Sequence, residues 1–178
     1  MTPSFPTLRR GAALLALLIF TACSPRLDWR DVRGEGAPFM VTLPGKASSF
    51  SRPIRLGEIP VTMTMTAAEV DDVTYAVGTA ELSDAAQTVQ ALAAMQTAML
   101  RNVGAAPRQE RTVTAAGMSF REVEAVGPPG SNTQGQPRLL LARFGAKDKR
   151  VYQLVILGRE PAVSREAADT FFSSFKTL

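Results

Sequence analysis

From residue 39 onward, apolar and polar positions alternate in short runs. Phe39-Met40-Val41-Thr42-Leu43 alternates and stops at Pro44-Gly45. Ile59, Val61, Met63 and Met65 point one way, with Thr62, Thr64 and Thr66 between them. Val73, Tyr75 and Val77 alternate with Thr74, Ala76 and Gly78. A period of two gives a strand one face on a core and one toward solvent. Residues 56–66 and 70–82 read as an antiparallel hairpin turning near Glu69–Asp72. The period then changes. Val89, Leu92, Ala93, Met95, Met99, Leu100 and Val103 recur at helical spacing, Asp84 and Gln87 offer a capping start, and Gly104 a stop, which predicts a helix over 85–103. Four more strands follow, over 108–116, 118–126, 138–146 and 150–158, with turns at Gly117 and at Ala146–Lys149. A last helix over 161–176 carries Ala168, Phe171, Phe172 and Phe175 on its apolar side.

The order β-β-β-α-β-β-β-β-α, with hairpin connections, predicts an α+β fold: a mostly antiparallel sheet of about seven strands with two helices packed on it. Two well-formed helices argue against a closed barrel. The chain has 178 residues, enough for one domain with a sizeable core. Residues 39–178 are expected to form it.

The first 38 residues follow other rules. Arg9 and Arg10 precede an uncharged apolar run from Ala12 to Phe20, and the small residues Thr21 and Ala22 lead to Cys23. This is the tripartite layout of a secretory signal. The apolar run is about half of the roughly 20 residues a bilayer-spanning helix needs. Ile19-Phe20-Thr21-Ala22-Cys23 resembles the lipobox of bacterial lipoproteins, with Phe20 where that pattern usually has Leu. Cys23 is the single cysteine and has no disulfide partner in the chain. The resemblance implies that residues 1–22 are removed and that Cys23 carries a thioether diacylglycerol and an acylated amine, a stable membrane anchor. Ser24 after the cysteine implies the outer membrane rather than the inner, with the protein facing the periplasm. Residues 23–38 read as a lipidated tether, with Ser24-Pro25 and Gly34-Glu35-Gly36-Ala37-Pro38 as breakers. Trp29 within it has two possible homes, the domain core and the membrane interface, with the core favoured.

Charge and composition narrow the chemistry. The net charge is +4, and removing Arg9 and Arg10 lowers it to +2. Residues 24–100 carry 6 basic and 9 acidic side chains, residues 101–178 carry 12 and 7. The uneven split reads as two solvated surfaces, or as a basic face toward anionic head groups or an acidic partner. No nucleic-acid partner is expected of an exported chain with so small a net charge. The chain has no histidine, which removes the usual metal ligand and the usual base near neutral pH. With Cys23 consumed by lipid, no thiol nucleophile remains.

The remaining candidates each have a plainer reading. Asp71 and Asp72 could aim two carboxylates at one hard cation, or be solvated turn residues. Met63, Met65, Met95 and Met99 could supply soft thioethers, or fill the core between sheet and helix. Ser48, Ser49 and Ser51 have neither a histidine base nor a nucleophile elbow. Lys46, Lys147, Lys149 and Lys176 fall at turns or the terminus, and Tyr75 and Tyr152 in strand patterns. No metal site, cofactor or catalytic residue is expected. The polar stretch 127–137, which opens Gly127-Pro128-Pro129-Gly130-Ser131-Asn132, reads as a surface loop suited to docking a partner.

Several local patterns carry a wider resemblance. They are the Phe39 to Leu43-Pro44 opening, the helix after the third strand, Arg138-Leu139 to Arg143-Phe144 followed by Val151-Tyr152-Gln153-Leu154, and the terminal Phe171-Phe172-Ser173-Ser174-Phe175. In these and in element order, residues 39–178 resemble the PsbP-like family of small α/β/α domains, which includes DcrB-like bacterial envelope lipoproteins. That family has no shared reaction, so the resemblance implies a non-enzymatic accessory module binding another envelope protein. A carrier holding a small apolar ligand between sheet and helix is the alternative. An open apolar sheet face favours the first, and an enclosed pocket of several hundred Å³ the second.

Overall fold

The computed structural model describes residues 27–130 and 134–178; residues 1–26, where the signal and Cys23 lipidation are expected, and the loop residues 131–133, with Ser131 and Asn132, lie outside the described residues. In chain order the elements are β1 (Arg30–Arg33), β2 (Phe39–Leu43), β3 (Ser48–Leu56), β4 (Ile59–Val70), β5 (Val73–Glu81), α1 (Thr88–Val103), β6 (Ala106–Ala115), β7 (Met118–Gly127), β8 (Arg138–Lys147), β9 (Arg150–Arg159), α2 (Arg165–Ser174) and β10 (Lys176–Thr177). Short 3-10 turns precede each helix, at Ala85–Gln87 and Glu160–Ala162. The fold is α+β, as the hydrophobic pattern predicts. Seven strands form one antiparallel sheet in the order β3-β4-β5-β9-β8-β7-β6, and β1-β2-β10 form a second sheet of three.

Tight turns set the register of the large sheet. β4 and β5 meet at Asp71 (φ 52) and Asp72 (φ 63), and β6 and β7 at Ala116 (φ 52) and Gly117 (φ 71). Two left-handed residues in a two-residue loop make a type I′ turn, whose twist matches that of the flanking strands. The long β5 and β9 pair centrally, from Thr74↔Leu157 to Glu81↔Arg150.

Each face of the large sheet has its own core. On one, Tyr75, Phe120, Tyr152, Leu154 and Ile156 are buried beneath Phe171, Phe172 and Phe175 from the α2 end of the chain and Phe39, Val41 and Leu43 from β2. On the other, Met63, Ala80, Val123, Leu140, Ala142 and Val155 lie beneath Ala91, Met95 and Val103 of α1.

The structure departs from the sequence pattern in four places. First, β3 stands where no strand is expected, and it takes the place of β2 among the seven. Its residues Ser48–Ile54 are exposed or half-buried, so it carries no alternation of burial for a pattern to report. Second, the segment read as tether contains β1, which pairs with β2 from Arg30↔Leu43 to Arg33↔Met40. Third, the last helix is shorter than 161–176: Ser164 caps it through Ala167, and Phe175 leaves helical geometry (ψ 130) to lie in the core. Fourth, β10 follows and pairs with β2 at Lys176↔Met40. Among the described residues no helix is long and apolar enough to cross a membrane.

Candidate functional site

α1 begins behind Asp84, whose carboxylate accepts from the Ala86 amide at 2.8 Å, and ends at Gly104, left-handed at φ 65. Its buried stripe is made of small or flexible residues, Ala91 and Met95 above all. Small residues let the helix lie close to β8, β9 and β3, but they give it little width. The helix therefore leaves the outer β6–β7 side of this face uncovered. The result is a groove of about 390 Å³ between Val89, Leu92, Ala93 and Gln96 of α1 and Thr112, Ser119, Arg121 and Phe144 of the sheet.

The floor of the groove is the buried ring of Phe144, and its rim is polar. Gln96 Nε2 donates to Glu110 Oε1 at 3.2 Å, bridging helix and edge strand. The Arg121 guanidinium reaches Glu110 at 3.5 Å while its side chain remains 61% exposed. Val89 stands on the lip, 80% exposed, although helical spacing assigns it to the packed side of α1. The correction has a simple geometric cause. Val89 belongs to the helical stripe, but the sheet beneath it is the polar Thr112–Ser119 margin, so nothing apolar covers it. This groove is the candidate site that sequence reasoning missed. Its only signal is an apolar stripe on α1 wider than the run of small residues that packs.

The opposite face carries a charged cluster between α2 and β6–β8. Glu122 accepts from Arg111 Nε at 2.6 Å and Arg143 Nε at 2.7 Å, and Arg143 lies 4.4 Å over the Phe172 ring. Glu124 accepts from both terminal nitrogens of Arg165, at 2.8 and 2.9 Å. Those bonds hold the Glu124 carboxyl below its ordinary range and raise Arg165. The space among these groups is only about 80 Å³. Both carboxylates are engaged by guanidinium groups. The cluster clamps α2 to the sheet.

The other sequence candidates scatter. Asp71 and Asp72 sit side by side in the β4–β5 turn, with Asp72 3.7 Å from Arg159. Among the described residues no group of three or more His, Cys, Asp or Glu side chains is gathered as a metal site. Met63 of β4 and Met95 of α1 are buried between sheet and helix, and Met65 and Met99 pack against the same cluster. Met65 Sδ accepts from Gln153 at 3.4 Å. Ser49 and Ser51 pair across strands with Thr66 and Thr64 at 2.9 and 2.8 Å, and Ser48 opens the same strand. Lys149 binds Glu81 at 2.8 Å and Lys147 binds Thr177 at 3.2 Å; Lys46 follows the end of β2, and Lys176 opens β10. Burial raises Tyr75 and Tyr152.

The loop after β7 is tied down at its start. Gly127 is buried, and a Cβ there would stand 2.7 Å from the Val103 carbonyl oxygen. Arg138 donates to the Pro128 carbonyl at 3.1 Å and also to that of Val103. Gly130 lies against the Arg138 side chain, and Pro129 connects the two held residues. This half of the segment seals the end of α1.

No protein-family model matches the sequence, and no curated protein matches it. Among solved structures, a Bacteroides thetaiotaomicron protein matches with a TM-score of 0.52 at 9% identity over 84% of this chain and 48% of that one. The chain thus spans about half the length of that structure, and the likeness is one of fold. A Pseudomonas aeruginosa protein of unknown function aligns over 75% of this chain and 84% of that one, with a TM-score of 0.34 at 12% identity.

Proposed function

We propose that this chain is a lipid-anchored, non-catalytic module of the bacterial envelope, held by Cys23 and facing the periplasm from the outer membrane, and that it binds another envelope protein in the α1 groove. Its domain is taken as PsbP-like, on the element order and the local patterns described above. The observation that carries the reading is Val89, an aliphatic side chain 80% exposed on the lip of an apolar-floored groove. Sites for small ligands surround 70–90% or more of their occupant. A groove whose lip carries so exposed an aliphatic side chain is better filled by a protein segment that also covers that lip. The engaged carboxylates and the absence of histidine support binding over catalysis.

The carrier reading keeps one observation in its favour. About 390 Å³ lies within the range of small-molecule sites. Crosslinking and purification from intact envelopes separates the two. The wild-type chain should hold a discrete protein partner that Ala93→Arg, which fills the groove from an exposed position, releases. A small apolar compound extracted from the wild type and missing from the variant would select the carrier. The absence of both a partner and a compound would overturn both readings.

A further inference from the structure

The described chain is fixed from its first residues. Leu27 and Trp29 pack against the aromatic core, the Asp28 amide donates to the Pro44 carbonyl at 3.0 Å, and the Trp29 ring meets Tyr75 edge-on at 6.3 Å. Three residues, 24–26, separate Cys23 from Leu27. Whatever their conformation, four residue steps span at most about 14 Å. A ten-residue strand such as β8 is about 33 Å long. The lipid on Cys23 can therefore lie near one end of the sheet and cannot reach the other.

The end it reaches is defined by the strands. Pro44 closes β2, and a Cβ at Gly45 would stand 3.2 Å from the Val70 side chain at the end of β4. The Asp71–Asp72 turn, the Glu160–Ala162 turn and the segment from Pro128 lie at this same end, because Val70↔Val73, Arg138↔Arg159 and Gly127↔Arg138 are terminal pairs there. The Ala116–Gly117 turn, the Asp148–Lys149 turn and the start of α1 lie at the other end, where the Leu82 amide donates to the Lys149 carbonyl.

We propose that the short tether holds the Pro44/Asp71–Asp72 end of the domain against the lipid headgroups, so that the start of α1 and the Val89 lip of the groove face away from the membrane. This rests on the lipoprotein reading above. The orientation comes from the length of the tether. The end itself carries both signs of charge, Lys46, Arg138 and Arg159 with Asp71, Asp72 and Glu160, and so is no electrostatic trap for anionic lipid. Pro128 and Arg138 then face the membrane, and soluble partners meet the far end.

The test uses the full lipidated chain in phosphatidylcholine–phosphatidylglycerol vesicles. With Cys23 in a thioether, an introduced cysteine is the only free thiol. Glu69→Cys marks the near end of β4 and Thr114→Cys the far end of β6; both positions are exposed. Each carries a fluorophore quenched by a headgroup nitroxide lipid. We expect quenching at 69 to exceed that at 114 by about three-fold or more. A twelve-residue Gly/Ser insertion after Arg26 should abolish the difference. Equal or reversed quenching in vesicle-bound protein overturns the orientation alone. A difference that survives the insertion overturns the tether as its cause. Wild-type chain that fails to float with vesicles, or Cys23→Ser chain that still does, overturns the lipoprotein reading and this proposal with it.

Discussion

The two faces of the seven-stranded sheet are packed by different kinds of side chain. Under α2 and the small sheet, Phe39, Tyr75, Phe120, Tyr152, Phe171, Phe172 and Phe175 lie buried, with paired ring centroids 5.3–6.5 Å apart, most of them edge-on. Under α1 the core is aliphatic, built from Ala, Val, Leu, Ile and Met, with Phe144 its one ring among the described residues. Interlocked rings fill a layer out to its margins, because each is wide and edge-to-face geometry ties neighbours together. Small side chains bring a helix close but leave its flank unsupported. The aromatic face is packed by wide rings, and the aliphatic face leaves the groove beside α1 open.

That contrast can be broken by mutation. The largest effect is expected on the aromatic face. Phe171 is fully buried between Tyr75 and Phe172, so Phe171→Ala should cost about 3–5 kcal/mol in urea unfolding. Met95→Ala on the buried side of α1 should cost about 2–3 kcal/mol, since flexible Met and Ala neighbours can settle into the space. Equal costs would mean that the two faces are packed alike.

A smaller effect concerns the clamp on α2, and it depends on pH. Arg165 holds the Glu124 carboxyl below its ordinary value of 4.5. A group whose folded value is depressed stabilises the fold above its unfolded value, and that stabilisation is lost as pH falls through the folded one. Glu124→Gln should therefore be less stable than wild type by about 0.5–1 kcal/mol near pH 7, as expected of a partly exposed pair. The gap should begin to close as pH falls below 4.5 and should vanish once pH has passed the lowered folded value. A gap that stays constant with pH would assign the loss to packing. The smallest change in stability is expected in the groove: Ala93→Arg at an exposed helical position should stay within about 0.5 kcal/mol of wild type in the same assay.

How far the sequence carries the fold differs element by element. α1 was legible because an N-capping Asp84 and the C-capping Gly104 bracket a helical stripe, and the β4–β5 and β6–β7 hairpins because alternation flanks a short turn. β3 was not, because an edge strand exposed on both faces has no burial period. β2 was legible as a strand, but alternation cannot say which sheet a strand joins. β1 was hidden in a short charged run that gains its order from pairing with β2. The groove was not legible either. A helical stripe shows which side of α1 is apolar, and the strands beneath it decide how much of that side is covered.

Site-specific crosslinking tests the division of labour between the faces most directly. A photoreactive side chain is placed at Val89 on the groove lip and, in a matched chain, at Thr170 on the exposed side of α2. Irradiation of intact envelopes should give a discrete protein adduct from position 89 that Ala93→Arg abolishes, and no discrete adduct from position 170. An adduct from 170 with none from 89, or one from 89 that Ala93→Arg leaves unchanged, would contradict the account.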